Sequence, residues 1–234
     1  MNKRVLLISD LHSPYTHIDT YSFLKALKEK LNPDRVISLG DEIDGATISF
    51  HDKDPDLPFS PSSELEKSIE MLSPLYELFP RMDILESNHG SLVYRKGKHH
   101  GIPRHVFKGY REILEAPRGW RWHLDLTIKI PGNECYFTHG KSSNGKKLGE
   151  SLAMCTVQGH FHNNFDIQYH ATPNGLYWSM VIGCLIDDRS LAFAYNKSTI
   201  KRPIIGTGVI INGQPRLVPM VLNKKGRWNG VLHL

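Results

Sequence analysis

The sequence of 234 residues contains no run of roughly 18 apolar residues, so it offers no helix that could cross a membrane. No secretory leader is expected either: the opening MNKRVLLISDL is basic and then apolar, but it reaches Asp10 after only five apolar or small residues. The expectation is a soluble, cytoplasmic chain with no membrane partner. Cysteine is scarce. Cys135, Cys155 and Cys184 are an odd number at wide spacing, each set in apolar sequence, which argues for buried thiols and against a disulfide framework or a zinc knuckle. There is no internal repeat and no low-complexity tract.

Acidic residues are missing from two stretches. From Ser87 to Arg111 there is none, while Arg95, Lys96, Lys98, Arg104, Lys108 and Arg111 accumulate; from Arg189 to the C-terminus there is again none, against Arg189, Lys197, Lys201, Arg202, Arg216, Lys224, Lys225 and Arg227. With a net charge of +5, this segregation fits a basic surface facing a polyanion, and it fits equally well lysines and arginines kept for solubility. What is present suffices for one sizeable core: 40% of the residues are hydrophobic and 23% charged, and the length suits a single domain over residues 1–234.

Along the chain, RVLLISD (4–10), DRVISLGD (34–41) and RMDILESN (81–88) read as short apolar strands, separated by helical spacing over 18–31 and over 62–79. The second helix takes Ser62 or Ser63 as its N-cap and is expected to break or kink at Pro74. Strands alternating with helices imply crossover connections and a largely parallel sheet. Further on, a helix is expected at about 103–115 and an alternating strand over 122–130. Strands over 134–140 and 154–162 end in glycine and histidine, and antiparallel strands follow, the last a hairpin turning at Asn212-Gly213. The Pro- and Asp-rich stretch 51–63 reads as an exposed, mobile loop, and 90–111 as a basic insertion.

Chemistry gathers at the strand ends: SDLH, GDEID, SNHG, THG and GHFH. At the carboxyl ends of parallel strands, segments remote in sequence can meet in one crevice. Asp, His and Asn without cysteine suit divalent cations such as Mn²⁺, Fe²⁺, Zn²⁺ or Mg²⁺. Asp10 and His12, like His160 and His162, are two residues apart, so an extended backbone points each pair to one side. Two cations about 3.5–4 Å apart need a bridging carboxylate, and Asp41, preceded by glycine at a strand end, is the obvious candidate.

In order, D-x-H, G-D-x-x-D, N-H, H-G and G-H-x-H resemble the calcineurin-like metallophosphoesterase superfamily, in particular its compact stand-alone members from bacteria and bacteriophages, over roughly residues 4–184. The resemblance implies an α/β fold, a β-sandwich of two mixed sheets flanked by helices in four layers, α/β/β/α. It implies two divalent ions, Mn²⁺ foremost with Fe²⁺, Zn²⁺, Mg²⁺ or Ni²⁺ as alternatives. Asp10, His12, Asp41 and His162 would hold one, and Asp41, Asn88, His139 and His160 the other. His89 would contact the scissile phosphate, with Asp44 orienting its ring, while Glu42 faces solvent. The implied activity is hydrolysis of a phosphate ester by a hydroxide bridging the metals. A phosphodiesterase or nuclease acting on DNA, RNA or nucleotides comes first, a phosphomonoesterase second, and a noncatalytic scaffold of the same fold third. The family commonly has glycine and an acid where this chain has Ser87 and Gly90, which suggests a rebuilt loop after His89.

The remaining candidates are weaker. His17, His51, His105, His123, His170 and His233 are read as structural or surface residues, and His99 and His100 as parts of a solvated loop. Gly140-Lys141-Ser142 is not a phosphate loop, because that motif needs glycine where Cys135 stands, although Lys141 could still reach a substrate. Trp120, Trp122, Trp178 and Trp228 are read as packing residues.

Overall fold

A computed structural model describes residues 2–50, 54–190 and 200–234. Strand β1 (Arg4–Ile8) is apolar on both faces because it is covered on both: Val5 and Leu7 enter one core, Leu6 and Ile8 another. β2 (Arg35–Ser38), β3 (Arg81–Leu85) and β4 (Gly119–His123) continue from it in parallel. On its other side lie β10 (Gly206–Ile211) and β11 (Gln214–Pro219), both paired antiparallel, so the six-stranded sheet has the order β11-β10-β1-β2-β3-β4. The turn between these two strands is the one anticipated, with Asn212 and Gly213 both at positive φ, 49° and 82°.

A second, five-stranded sheet is built from β5 (Leu126–Ile130), β6 (Asn133–Thr138), β7 (Cys155–Gln158), β8 (Phe165–Thr172) and β9 (Gly175–Ile182), in the order β5-β6-β7-β9-β8. The sheets pack face to face through Val5, Leu7, Ile37 and Leu39 from one and Phe137, Val157, Met180 and Ile182 from the other. Outside the first sheet, α1 (Thr20–Leu31) and α2 (Pro61–Leu78) bury Phe23, Leu24, Leu27, Leu72 and Leu75 against Leu6 and Ile8. Outside the second, α5 (Gly145–Leu152) lies on β7, β8 and β9. The result is the four-layered α/β arrangement, with mixed sheets. Cys135, Cys155 and Cys184 are buried free thiols.

Several local expectations are corrected. The strand read over 122–130 is two strands in different sheets, β4 and β5, joined through Leu124 and Asp125. Alternation runs on across the join because both halves are half-buried, so periodicity alone cannot reveal the change of sheet. The helix at 103–115 is a 3₁₀ turn at Arg104–Val106 followed by the short α4 (Tyr110–Ile113). α2 starts earlier than expected, with Ser60 as N-cap, its side chain accepting from Ser63 N, and Pro61 in the first turn. It runs through Pro74 without a break, since Pro74 and Glu70, whose carbonyl loses its partner, both face water. Of the expected loop 51–63, residues 51–53 lie outside the described ones and 61–63 are helical. Leu57 and Phe59 pack on Tyr15, Cys184 and Ile186. The basic stretch 90–111 carries α3 (Leu92–His99).

Candidate metal centre

β1, β2 and β3 run parallel, as do β6 and β7, and their carboxyl ends deliver the polar segments to one edge of the sandwich. Three groups of donors gather there: Asp10 with His12 and His162, His12 with Asp41 and His89, and Asp41 with His139 and His160. Asn88 joins them through its Oδ1, 2.7 Å from His139 Nε2. The expected ligand positions are therefore neighbours in space.

The backbone is bent to achieve this. Among the described residues, Asp10, His12, Asp41 and His160 have φ of 52°, 48°, 56° and 67°, a left-handed conformation uncommon outside glycine. Before Asp41, Gly40 has φ 104°, and a Cβ there would lie 2.6 Å from Ser87 Cβ. Only glycine lets the end of β2 approach the loop after β3 so closely.

Asp41 Oδ2 lies 3.5 Å from His12 Nε2 and 3.2 Å from His139 Nε2, while its Oδ1 accepts from His89 N at 3.1 Å. Asp10 Oδ1 is 3.1 Å from His162 Nε2, and its Oδ2 accepts from His160 N at 3.0 Å and from the Ser9 hydroxyl. With metal–ligand bonds of about 2.1 Å, donors sharing one ion sit about 3.0–3.4 Å apart, close to these separations. The tautomers also suit a cation. His139 Nδ1–H donates to the Leu39 carbonyl at 2.8 Å and His12 Nδ1–H to Asp44 Oδ1 at 2.6 Å, which leaves Nε2 of each ring facing the carboxylates, as the atom a cation would take once its proton is lost.

Asp10 and Asp41 are 0% and 1% exposed, and their ion-pair partners among the described residues are imidazoles. Burial opposes ionisation of Asp41, but the charge and hydrogen bond of His139 outweigh it and hold the carboxyl below the usual range. Burial likewise opposes protonation of His139, and Asp41 overrides it, raising the imidazole to about 9. Protons on these imidazoles answer the charge of the buried carboxylates. A divalent cation fits the same donors and would displace those protons.

Two sequence expectations fail here. Glu42 does not face solvent: it is 0% exposed, its Oε1 accepts from the Ser38 hydroxyl at 2.5 Å, and burial raises it to about 7. The left-handed turn at Gly40 and Asp41 reverses the alternation and sends the next side chain inward. The Asp44 carboxylate does not primarily orient His89. It holds His12, and its Oδ1 is 3.7 Å from His89 Nδ1; His89 instead donates to the Asp44 backbone carbonyl. Ser87, standing where the family has glycine, accepts from Asp41 N and Gly90 N at 3.0 Å each and so fixes both sides of the turn. Sequence reasoning missed Ser9 and, though it singled out Ser87, missed what Ser87 does, because a serine beside a candidate ligand carries no spacing signal. Lys141 turns away to Asp125 and Tyr136. Of the histidines set aside, His17 and His170 are buried within the fold, and His123 pairs with Asp83 at 2.8 Å.

No family model matches the sequence, and no curated protein matches it. Solved structures do. Vps29 from Chaetomium thermophilum superposes with a TM-score of 0.50 at 10% identity, over 97% of this chain and 94% of that one. A novel archaeal phosphodiesterase gives 0.48 at 12% identity, over 92% and 99%. Wild-type Vps29 from Entamoeba histolytica, complexed with Zn²⁺, gives 0.42 at 14% identity, over 98% and 95%. At such identities the likeness speaks for the fold alone. The sheet order and the superposition on Chaetomium thermophilum Vps29 agree on one architecture, two mixed sheets flanked by helices in four layers: the chain has the fold that its resemblance to the calcineurin-like metallophosphoesterases implied.

Proposed function

We propose that this chain is a metal-dependent phosphoesterase, with phosphodiesters of nucleic acids or nucleotides as the first substrates to test. The observation that carries the reading is the position of Asp41 Oδ2 between His12 and His139, where one oxygen could serve a donor set on either side. On this reading Asp10, His12, Asp41 and His162 hold one divalent ion and Asp41, Asn88, His139 and His160 a second. Bound there, the ions would supply an acidified water for attack on phosphorus and neutralise the phosphoryl oxygens. His89, its side chain 25% exposed and its Nδ1–H held by the Asp44 carbonyl, is left with Nε2 as the nitrogen whose proton would go to the leaving oxygen.

The exposed Lys98, Arg104, Lys108 and Arg111 follow directly on the Asn88-His89 loop and favour a polyanionic substrate. Lys96 does not contribute, since its Nζ donates to the Ser49 carbonyl at 3.1 Å and sits over the Phe50 ring. A scaffold would need none of these donors, whereas every expected ligand position here is filled. Calorimetric titration with Mn²⁺ should find uptake that Asp41→Asn weakens. The loaded protein should hydrolyse bis-p-nitrophenyl phosphate faster than p-nitrophenyl phosphate, and Asp41→Asn should abolish turnover. Absence of divalent uptake would sink the proposal; a preference for the monoester would move it to a phosphomonoesterase.

A further inference from the structure

The loop carrying Asn88 and His89 separates two unlike cavities. On one side, about 400 Å³ is lined by Asn88, His139, His160, Arg95 and Lys141 and is polar. On the other, beside His89, a cavity of about 610 Å³ is walled by Ile43, Ile48, Leu65, Leu92, Val93 and Ile113 and touches none of the other candidate ligands. We propose that this second cavity binds the apolar arm of the phosphate ester, so that the leaving alcohol is a hydrocarbon group rather than a nucleoside. The proposal rests on the phosphoesterase reading above only for the direction in which the alcohol leaves.

The wall explains the choice. Its polar groups are already engaged: Lys96 Nζ donates to the Ser49 carbonyl at 3.1 Å, Glu64 accepts from Ala46 N at 2.8 Å, Thr47 N at 2.9 Å and the Thr47 hydroxyl, and the Ser68 hydroxyl donates to the Glu64 and Ser13 carbonyls. Ser62 is turned to Glu66, and the Tyr110 hydroxyl, without a hydrogen-bond partner among the described residues, is buried out of an occupant's reach. A nucleobase placed here would leave its polar edge without partners, at a cost of roughly ten- to hundredfold in affinity per stranded group. An alkyl or aryl group loses nothing and leaves water. The volume lies within the range of small-molecule sites and is about four times the roughly 150 Å³ that accommodates benzene, so more than one ring or a chain of several carbons fits.

His89 lines the cavity and its ring packs edge-on against His12, 4.6 Å between centroids, which sets the cleaved bond at the boundary between cavity and centre. Hydrolysis forms a P–O bond to water and breaks the P–O bond to the alcohol, whose oxygen takes the proton of His89 as the hydrocarbon stays in the cavity. The basic surface beyond Asn88 is left for the other arm. The substrate class is therefore an amphiphilic phosphodiester, with one arm anionic and the other apolar.

Binding of methyl-, butyl- and octylphosphonate to the manganese-loaded protein, measured by calorimetry, tests this without turnover. Kd should fall by about fourfold per methylene along the series. Val93→Trp, at a helix position already 37% exposed, should fill the cavity and flatten that dependence, and Leu65→Gln should do the same by a different route. A Kd independent of chain length, a dependence that survives both substitutions, or thymidine monophosphate binding more tightly than octylphosphonate would overturn the proposal. A length-dependent Kd without hydrolysis of bis-p-nitrophenyl phosphate upholds the cavity and rejects the hydrolase. Hydrolysis with a flat series does the reverse.

Discussion

Asp44 serves two histidines with two different atoms, its carboxylate for His12 and its carbonyl for His89. Substitution can separate them. Asp44→Asn keeps the carbonyl and removes the charge behind His12, so Mn²⁺ affinity should fall about 10- to 100-fold, with turnover recovered at saturating metal. His89→Ala should do the opposite, leaving metal uptake intact in calorimetry and slowing hydrolysis by about 10²- to 10⁴-fold. If Asp44→Asn also slowed the saturated enzyme by that factor, the carboxylate would be serving His89 after all. That these side chains would gather in one place was legible, since Asp, His and Asn at successive strand ends are unusual enough to be read together. Which neighbour each side chain chooses was not, because left-handed residues at Asp10, Asp41 and His160 redirect side chains in a way that spacing does not encode.

Among the secondary-structure elements, β1, β2, β3 and the C-terminal hairpin could be read from their apolar runs and turn residues, whereas the change of sheet between β4 and β5 could not. Nor could the use made of Asp19. It occupies the N-cap of α1 without capping it through its side chain, and gives both oxygens to the C-terminal segment instead: Arg227 Nη2 at 2.5 Å, Nε at 2.8 Å and Trp228 N at 2.8 Å. Trp228 then packs edge-on against Phe23 of the same helix, 5.5 Å between ring centroids. The Arg227 hydrogen bond leads in holding Asp19 down to about 2, against the opposing effect of burial. A carboxyl depressed on folding stabilises the fold above its ordinary pKa and ceases to do so as pH falls through the folded value. Asp19→Asn should therefore lower Tm at pH 7 by roughly 2–4 °C, a modest amount because Arg227 is largely in water. Wild type and variant should converge between about pH 4 and 2 in scanning calorimetry. No gap at pH 7 would show that the tail is held by packing alone, and a gap that persists at pH 2 would show that the loss does not come from the Asp19 charge.

At the scale of the whole molecule, the net charge of +5 matters less than its placement, with the acid-free 90–111 stretch exposed beside the centre. If that surface holds an anionic arm, binding of a single-stranded oligonucleotide should weaken steeply between 50 and 200 mM salt. Lys98→Glu combined with Lys108→Glu should reduce the slope of log Kd against log salt by roughly one per lost contact. An unchanged slope would return these lysines to mere solubility. The segregation of charge was visible in the sequence; that it borders the centre required the fold.

The donors do not all belong to one sheet. Asp10, His12, Asp41 and Asn88 follow strands of the six-stranded sheet, and His139, His160 and His162 follow strands of the five-stranded one. Any ion seated among them is thus a rivet between two halves that are otherwise joined mainly by oily side chains and a few hydrogen bonds, and its grip adds directly to the work of prying the halves apart. Tm should climb with free Mn²⁺, by the equivalent of about 2.7 kcal/mol at a hundred times Kd, and drop back on chelation.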